Sequence, residues 1–241
     1  MLGRPTALQS SLFRIAMCTW KLFRQAIDEV TPKVLVEGRS IFLPRLSPDG
    51  KQILYVKLPN PEDPAEPASV MRIPLQGGSP RVVLLMPSMS NFQCARSPSK
   101  LCLFHTPEGS TAHFFSFNAE DGTTQEFAAV PVMENPDWSL SPDGSQLAMI
   151  LSPRERKITF MFVDDKSTHE VDLNPWPPNF GIDWAADSKS LFVTSQTAAG
   201  ASVILGVEAN GNHRVLLEGD NATQYLWVVP SPDGRYGVCR R

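Results

Sequence analysis

Short apolar runs recur along the chain in a fixed order, separated by turn-forming residues. The first kind of run is apolar at nearly every position, which is typical of an inner strand buried on both faces. Two further runs follow it in each period and are bounded by Gly, Asn or Asp, as hairpin strands are. The inner runs are Ile53–Val56, Leu101–Phe104, Leu147–Ile150, Leu191–Val193 and Tyr236–Val238. The middle runs are Val70–Ile73, His113–Phe117, Ile158–Val163 and Val203–Val207, and the closing runs are Arg81–Leu85, Thr124–Phe127, His169–Leu173 and Arg214–Leu217.

A tetrapeptide marks the turn before each inner run. Three copies read Ser-Pro-Asp-Gly and begin at Ser47, Ser141 and Ser231, while degraded copies begin at Ser97 and Ala185. Pro presets φ for the first central turn position, Asp accepts hydrogen bonds from its own backbone, and Gly adopts the left-handed conformation that closes the turn. We therefore expect a tight hairpin turn at each copy. Successive copies start about 44 to 50 residues apart, which is the blade length of propellers.

Four antiparallel strands in each period predict an all-β fold, a β-propeller made of four-stranded blades. The 15 glycines and 22 prolines, spread along 241 residues, agree with many short strands joined by turns. The predicted units are 42–87, 88–134, 135–178 and 179–222, with partial units at 33–38 and 223–241.

The two partial units raise the question of blade number. Lys33–Gly38 parallels Arg214–Gly219, so it is interpreted as the last strand of a blade whose earlier strands are absent. The favoured interpretation is a fragment of a larger multidomain protein with a six-bladed propeller. The alternative is a closed five-bladed ring in which the C-terminal strands share one blade with the Val34 strand. That shared blade would lack a third strand.

Residues 1–32 carry no blade pattern. Their apolar residues have helix-like spacing, which predicts a short N-terminal helical segment that packs against the propeller. These residues are Leu8, Leu12, Ile15, Leu22, Ala26 and Val30.

The net charge and the apolar runs of the sequence argue against two classes of function, nucleic-acid binding and membrane insertion. The net charge is −3 and no stretch concentrates Lys and Arg, so we expect no nucleic-acid binding by this segment. No run approaches the roughly 18 apolar residues that span a bilayer, which predicts no membrane insertion. No clear signal peptide is evident, and the sequence leaves a periplasmic and a cytoplasmic location equally open.

The unit Leu46–Tyr55, with the Gly77-Gly78 turn that follows it, resembles the WD40-like repeat of the TolB family of bacterial propellers. The resemblance covers about residues 33–241. The sequence is also similar to that of propellers in large soil-bacterial proteins, over Arg72–Pro74, Asn91–Arg96 and Leu101–Phe104. The propeller of those proteins is similar to a sensory tail that is fused to a protein kinase or a winged-helix domain. The resemblance therefore implies a sensory role for this propeller.

The chain carries no recognisable catalytic motif. The G-x-S-x-G elbow of hydrolases, the P-loop and the dinucleotide fingerprint are all absent from the sequence. The histidines His105, His113, His169 and His213 fall in different units without paired spacing, and we expect them to lie in solvent rather than to bind metal. The predicted function is a non-catalytic binding or sensor module, without cofactor or metal, that binds a protein or peptide partner. The alternative is the substrate-gating propeller of a split or truncated prolyl-oligopeptidase-type hydrolase.

Two groups of residues are candidate sites. Asn91, Asp137, Asp183 and Gln224 lie just ahead of the first strands and are the candidate loop-face binding rim. Cys94 and Cys102 flank the turn that begins at Ser97 almost symmetrically, so a cross-strand disulfide is geometrically conceivable. Two reduced, buried cysteines are an equal alternative, and the compartment would decide between them.

Overall fold

The described residues form six antiparallel sheets, four of them four-stranded and two of them two-stranded. The computed structural model describes residues 20–25, 30–38, 40–60, 62, 66–86, 91–152, 154–219, 227–230 and 237–240. Within these ranges every regular element is a strand.

Each four-stranded sheet is a meander in which consecutive strands pair with one another, so the predicted four-stranded antiparallel blades are confirmed. Blade 1 contains β3 (Ile41–Leu46), β4 (Gln52–Lys57), β5 (Ala68–Pro74) and β6 (Arg81–Met86). Blade 2 contains β7 (Phe92–Cys94), β8 (Cys102–Glu108), β9 (Thr111–Phe117) and β10 (Thr124–Pro131). Blade 3 contains β11 (Asp137–Leu140), β12 (Gln146–Ile150), β13 (Lys157–Phe162) and β14 (Thr168–Asp172). Blade 4 contains β15 (Pro178–Trp184), β16 (Ser190–Gln196), β17 (Ser202–Glu208) and β18 (His213–Glu218).

The two-stranded sheets are β1 (Trp20–Arg24) with β2 (Lys33–Gly38), and β19 (Trp227–Pro230) with β20 (Gly237–Arg240). The helix prediction is wrong over Trp20–Arg24, because these residues pair with β2 along its length instead of continuing a helical face. Leu22 is buried at the centre of this short ladder. The rest of the predicted helical segment lies outside the described residues, apart from Gln25, Val30, Thr31 and Pro32, which are not helical.

The repeated turns have the predicted chemistry. In the first copy the Ser47 hydroxyl lies 2.6 Å from Asp49 Oδ1, which also accepts a hydrogen bond from the Lys51 N–H. Gly50 has a φ of 70°, the left-handed conformation that glycine adopts without steric cost. The copy at Ser141 repeats these bonds and its glycine has a φ of 76°. The turn at 231–234 lies outside the described residues.

The second strands form the centre of each blade, as their apolar patterns predict. Ile53, Leu54, Tyr55 and Val56 on β4 are all buried, and Leu147–Ile150 on β12 are buried likewise. Side chains from facing sheets pack into shared apolar clusters, one of which joins β12 and β13 to β16 and β17. Apolar burial between neighbouring sheets therefore holds the blades face to face.

Neighbouring blades meet in two layers. On the inside, the first strands contact one another in the order β3, β7, β11, β15 and β19. On the outside, the turn between the third and fourth strands of one blade packs on the fourth strand of the preceding blade.

The outer contact recurs at four interfaces. A Cβ placed on Gly77 would lie 3.7 Å from the Leu35 side chain of β2, and one on Gly122 would meet the Val83 carbonyl of β6. Lys166 Nζ lies 3.7 Å above the ring of Phe127 on β10. Between blades 3 and 4, a Cβ on Gly211 would lie 3.7 Å from Val171 on β14.

A β-bulge marks most of these fourth strands. The register skips one residue at Leu35, Val83, Phe127 and Leu216, whereas β14 pairs without a shift. A bulge bends a strand and increases its local twist. The repeat therefore encodes a bent outer strand as well as a turn.

The described sheets bear on the predicted blade number. The structure describes four complete blades and keeps β1–β2 and β19–β20 as separate sheets. The six-bladed count and the five-bladed alternative both stay predictions. The expectation that no strand precedes Lys33 is wrong, because β1 occupies that place. The described part of the chain contains no helix that is long and apolar enough to span a bilayer.

Candidate binding site on the innermost strands

Three of the four predicted rim residues lie on, or just ahead of, the first strands of consecutive blades. Asn91 and Asp137 take the same place, whereas Asp183 takes the place that Gln93 and Ser139 have in blades 2 and 3. Asn91 immediately precedes β7, Asp137 is the first residue of β11, and Asp183 lies near the end of β15. All three side chains are half-buried at the inner ring of first strands. Asp183 lies within its strand, not ahead of it as predicted. Gln224 lies outside the described residues.

Gln93, two residues after Asn91, ties the first strands of blades 2 and 3 together. Its Nε2 donates to the Trp138 carbonyl over 3.0 Å. Its Oε1 accepts from the Leu140 N–H at 3.2 Å and lies 3.1 Å from the Ser139 hydroxyl. Gln93 and Ser139 are both buried. Because buried polar groups need partners, this amide fixes how the two strands sit side by side.

The Asp137 carboxylate makes the corresponding link between blades 3 and 4. Its Oδ2 accepts from the Gly181 N–H at 2.6 Å, and its Oδ1 accepts from the Trp138 N–H at 3.0 Å. Gly181 has a φ of 113° in the irregular segment where the register of β15 shifts, so its N–H can point sideways to the next blade. Burial, with a smaller contribution from the Asp183 charge, raises the pKa of Asp137 to about 6, although the bond from Gly181 opposes this shift.

Asp183 lies beside the same network. Its Oδ1 is 3.5 Å from the Ser139 hydroxyl, which also faces Gln93. Ser139 has one hydroxyl hydrogen and can donate it to only one of the two acceptors at a time. The inner ring therefore combines a neutral amide link between blades 2 and 3 with a carboxylate pair between blades 3 and 4.

His105 corrects the expectation that every histidine lies in solvent. It is buried on β8, where its Nδ1 accepts a hydrogen bond from the Trp138 indole N–H at 2.8 Å. Its Nε2 lies 2.8 Å from Asn135 Oδ1, and that amide oxygen requires the histidine to carry its hydrogen on Nε2. Burial lowers the pKa of His105, against the opposing effect of Asn135. The residue is a neutral structural link.

The recurrent aromatic residues pack between blades. Trp138 and Trp184 are buried, and the Trp184 indole donates to the Ser139 carbonyl of the preceding blade at 2.9 Å. Phe114 meets Trp138 edge to face, with ring centroids 5.3 Å apart. The two indole rings combine apolar burial with one directed hydrogen bond each.

Cys94 and Cys102 stand directly opposite each other on β7 and β8, with Cα atoms 4.0 Å apart and their sulfur atoms bonded. The pair closes the inner hairpin of blade 2, whose β7 is only three residues long. Whether the bond forms in the cell depends on the compartment and stays a prediction.

A groove separates the outer parts of blades 2 and 3. It has a volume of about 740 Å³ and lies between β10 and the sheet β12–β14, with Phe127, Met161, Lys166 and His169 in its walls. None of the three described rim residues contributes to it. Among the described residues, no cluster of three or more His, Cys, Asp or Glu side chains could hold a metal ion.

Sequence reasoning missed the residues that connect the rim. Gln93, Ser139 and His105 form the links between blades, but their partners lie about 30 to 47 residues away in sequence. One signal was available: Gln93 and Ser139 stand two residues after Asn91 and Asp137 in adjacent units. Polar residues in register on two first strands indicate pairing across an interface.

Comparisons with known proteins place the fold. No family model and no curated protein sequence matches the chain. Among solved structures, TolB from Acinetobacter baumannii is 16% identical with a TM-score of 0.65; the alignment covers 90% of this chain and 58% of that one. An oligogalacturonate lyase in complex with manganese is 16% identical with a TM-score of 0.61, covering 89% and 62%. A puromycin hydrolase is 15% identical with a TM-score of 0.56, covering 89% and 35%.

At these identities the likeness concerns the fold alone. The matched structures include enzymes as well as TolB, so the architecture does not by itself specify chemistry. The chain spans little more than half the length of the TolB structure. It has the β-propeller fold found in TolB.

Proposed function

We propose that this chain is a non-catalytic β-propeller module that binds a protein or peptide partner at the rim formed by Asn91, Asp137 and Asp183. The observation that carries the proposal is that these three residues lie on, or just ahead of, the first strands of three consecutive blades around the inner ring. Loops and strand ends around a propeller axis converge from several blades, so a ligand there contacts many units at once.

The negative charge of the rim favours one chemical class of partner. Asp137 and Asp183 bring two carboxylates near each other, and the charge of Asp183 acts on the pKa of Asp137. A cationic side chain on the partner would relieve this repulsion by charge-assisted hydrogen bonds. We therefore propose a peptide segment that contains Lys or Arg as the bound element. A kinase or winged-helix domain fused to such a propeller would make it a sensor.

Panning of a displayed random-peptide library on the immobilised chain tests this proposal. Peptides enriched on the wild type are expected to carry Lys or Arg and to bind Asp183→Asn about tenfold more weakly. The matched control is Asp187→Asn, an exposed aspartate in the turn that follows β15, which should bind normally. Enriched peptides that bind both variants equally, or no enrichment on a folded chain, would overturn the rim as the binding site.

The second candidate is the substrate-gating propeller of a prolyl-oligopeptidase-type hydrolase. The fold likeness to a puromycin hydrolase, of which this chain spans 35%, is the observation that favours it. A hydrolase domain would have to be encoded elsewhere. Sequencing of the neighbouring reading frames separates the candidates, because a G-x-S-x-G frame supports the hydrolase and a kinase or winged-helix frame supports the sensor.

A further inference from the structure

The two two-stranded sheets carry complementary halves of a blade. In blade 1 the third strand pairs with the fourth so that Val70 faces Leu84 and Met71 faces Val82, with the bulge at Val83. The sheet β1–β2 repeats this register: Leu22 faces Val36, Phe23 faces Val34, and the bulge falls at Leu35. It therefore corresponds to the third and fourth strands of a blade.

The other half is supplied by β19–β20. These strands flank the third intact Ser-Pro-Asp-Gly copy at 231–234, and the same tetrapeptide joins β3 to β4 and β11 to β12. The sheet β19–β20 therefore corresponds to a first and a second strand. Among the described residues, β19–β20 is without the outer half of a blade and β1–β2 is without the inner half.

The outer face of blade 4 shows what is missing. Val83 on β6 and Val171 on β14 are 9% and 4% exposed, and each is next to the turn between the third and fourth strands of the following blade. The equivalent residue on β18 is Leu216, which is 42% exposed. The face that four other interfaces cover with a turn is open on β18.

We propose that β1–β2 completes the blade that β19–β20 begins, giving one sheet in the order β19-β20-β1-β2 and a closed ring of five blades. In this arrangement β20 pairs antiparallel with β1, and the sheet β1–β2 stands next to blade 4 on the side of Leu216. Two open sheet edges and one exposed apolar face are satisfied by a single contact. The occupant is this chain's own segment because its bulged fourth strand already has the required form.

The proposed sheet also contains the third strand that was missing from the shared blade of the five-bladed alternative. A shared blade built from Lys33–Gly38 alone would lack a third strand, and β1 is that strand. Closure would bring β3 and β19 together as neighbours and so complete the inner ring of first strands. The proposal concerns architecture and does not depend on the proposed function.

The register of the new pairing follows from blade 1. There Tyr55 on β4 faces Met71 on β5. Cys239 occupies the place of Tyr55 when the Ser-Pro-Asp-Gly copies are aligned, and Phe23 occupies the place of Met71. Closure therefore places Cys239 opposite Phe23.

Disulfide trapping tests this register in the full chain. Phe23→Cys is made in a Cys18→Ser background, oxidised under native conditions, and analysed by non-reducing gel electrophoresis and peptide mass spectrometry. The expected product is a monomer in which residue 23 is linked to Cys239. The matched control is Arg24→Cys, whose side chain leaves the opposite face of β1, and its cross-linking to Cys239 should be at least about tenfold slower.

Two outcomes would overturn the proposal. A dimer linked between residue 23 and Cys239 would mean that a second copy supplies β1–β2. Absence of the link in a chain that unfolds cooperatively would mean that the two halves belong to different blades. Hydrogen exchange on the unmodified chain decides the matter if Phe23→Cys does not fold: closure predicts protection of all amides on β20, whereas an open edge leaves alternate amides in fast exchange.

Discussion

The inner and outer layers of the blade interfaces use opposite chemistry. Near the axis, Gln93, Asp137 and Trp184 each make hydrogen bonds to the backbone of a neighbouring first strand. At the periphery, the contact is a turn pressed on a bulged apolar strand, as at Gly122 and Val83. Hydrogen bonds are directional and apolar contacts are not. The inner layer therefore fixes the angle between blades, while the outer layer buries apolar side chains.

The strongest test of the outer layer is Gly122→Ala. The new Cβ would lie 1.8 Å from the Val83 carbonyl oxygen, so the turn or the strand of the preceding blade must move. We expect the free energy of unfolding, measured by urea denaturation, to fall by about 3 to 5 kcal/mol. Gly109→Ala is the control, because Gly109 also has a positive φ but nothing lies within 4 Å of its Cβ position. It should lose only about 1 to 2 kcal/mol, and equal losses would contradict a close contact between blades.

The corresponding test of the inner layer is Gln93→Leu. This change leaves the Trp138 carbonyl and the Leu140 N–H without their buried partner. We expect a loss of about 3 kcal/mol in the free energy of unfolding, since unsatisfied buried groups lose their full desolvation cost. Gln125→Leu, at an exposed position on β10, should change stability by less than about 0.5 kcal/mol. A loss as small as that in Gln93→Leu would refute the role assigned to the inner layer.

The Cys94–Cys102 disulfide lies within blade 2 and crosses no interface. Its removal is therefore a reference for the effects of breaking the inner and outer layers. Reduction of the Cys94–Cys102 bond, which joins residues eight positions apart, should lower the free energy of unfolding by about 2 kcal/mol. The denaturation midpoint of the wild type should fall on addition of reductant, and that of the Cys94→Ala/Cys102→Ala variant should not move. If the purified wild type is also insensitive to reductant, the two cysteines are reduced.

A pH dependence carried by Asp137 is also expected. Its pKa of about 6 lies above the ordinary value of 3.8, so the folded state prefers the protonated carboxyl. This contribution is fully present below about pH 4 and is lost as the pH rises through about 6. The stability of the wild type should therefore fall between these values relative to Asp137→Asn, when both are measured by urea denaturation across the range. Parallel profiles would show that burial does not perturb this carboxyl.

Much of the fold could be predicted because its signals are local. The turn that begins at Ser47 needs only bonds within six residues, and the burial of Ile53–Val56 follows from an uninterrupted apolar run. The prediction failed at Trp20–Arg24, where helix-like spacing was overridden by pairing with β2. Propensity is a weak guide when a distant strand offers a ladder of backbone bonds.

The candidate site was only partly visible in the sequence. The common position of Asn91 and Asp137 was predictable because it depends on the repeat alone, whereas Asp183 lies two residues further along its first strand. The bonds of Gln93 and His105 depend on which blade faces which and at what angle. A single repeat does not contain that information.

The self-contained turns have an evolutionary consequence. A duplicated segment that carries its own Ser-Pro-Asp-Gly bonds brings a working hairpin to any place where it is inserted, whereas a duplicated Gln93 is useless until the adjoining copy offers suitable acceptors and donors. Turn and strand are thus heritable by copying, but the amide and carboxylate links must be selected afterwards, one junction at a time. Decay follows the same division: Ser188 holds a φ of 58° where intact copies have glycine, and Asp187 still accepts from Lys189. A repeat can therefore lose the Ser-Pro-Asp-Gly sequence while the conformation of its turn persists.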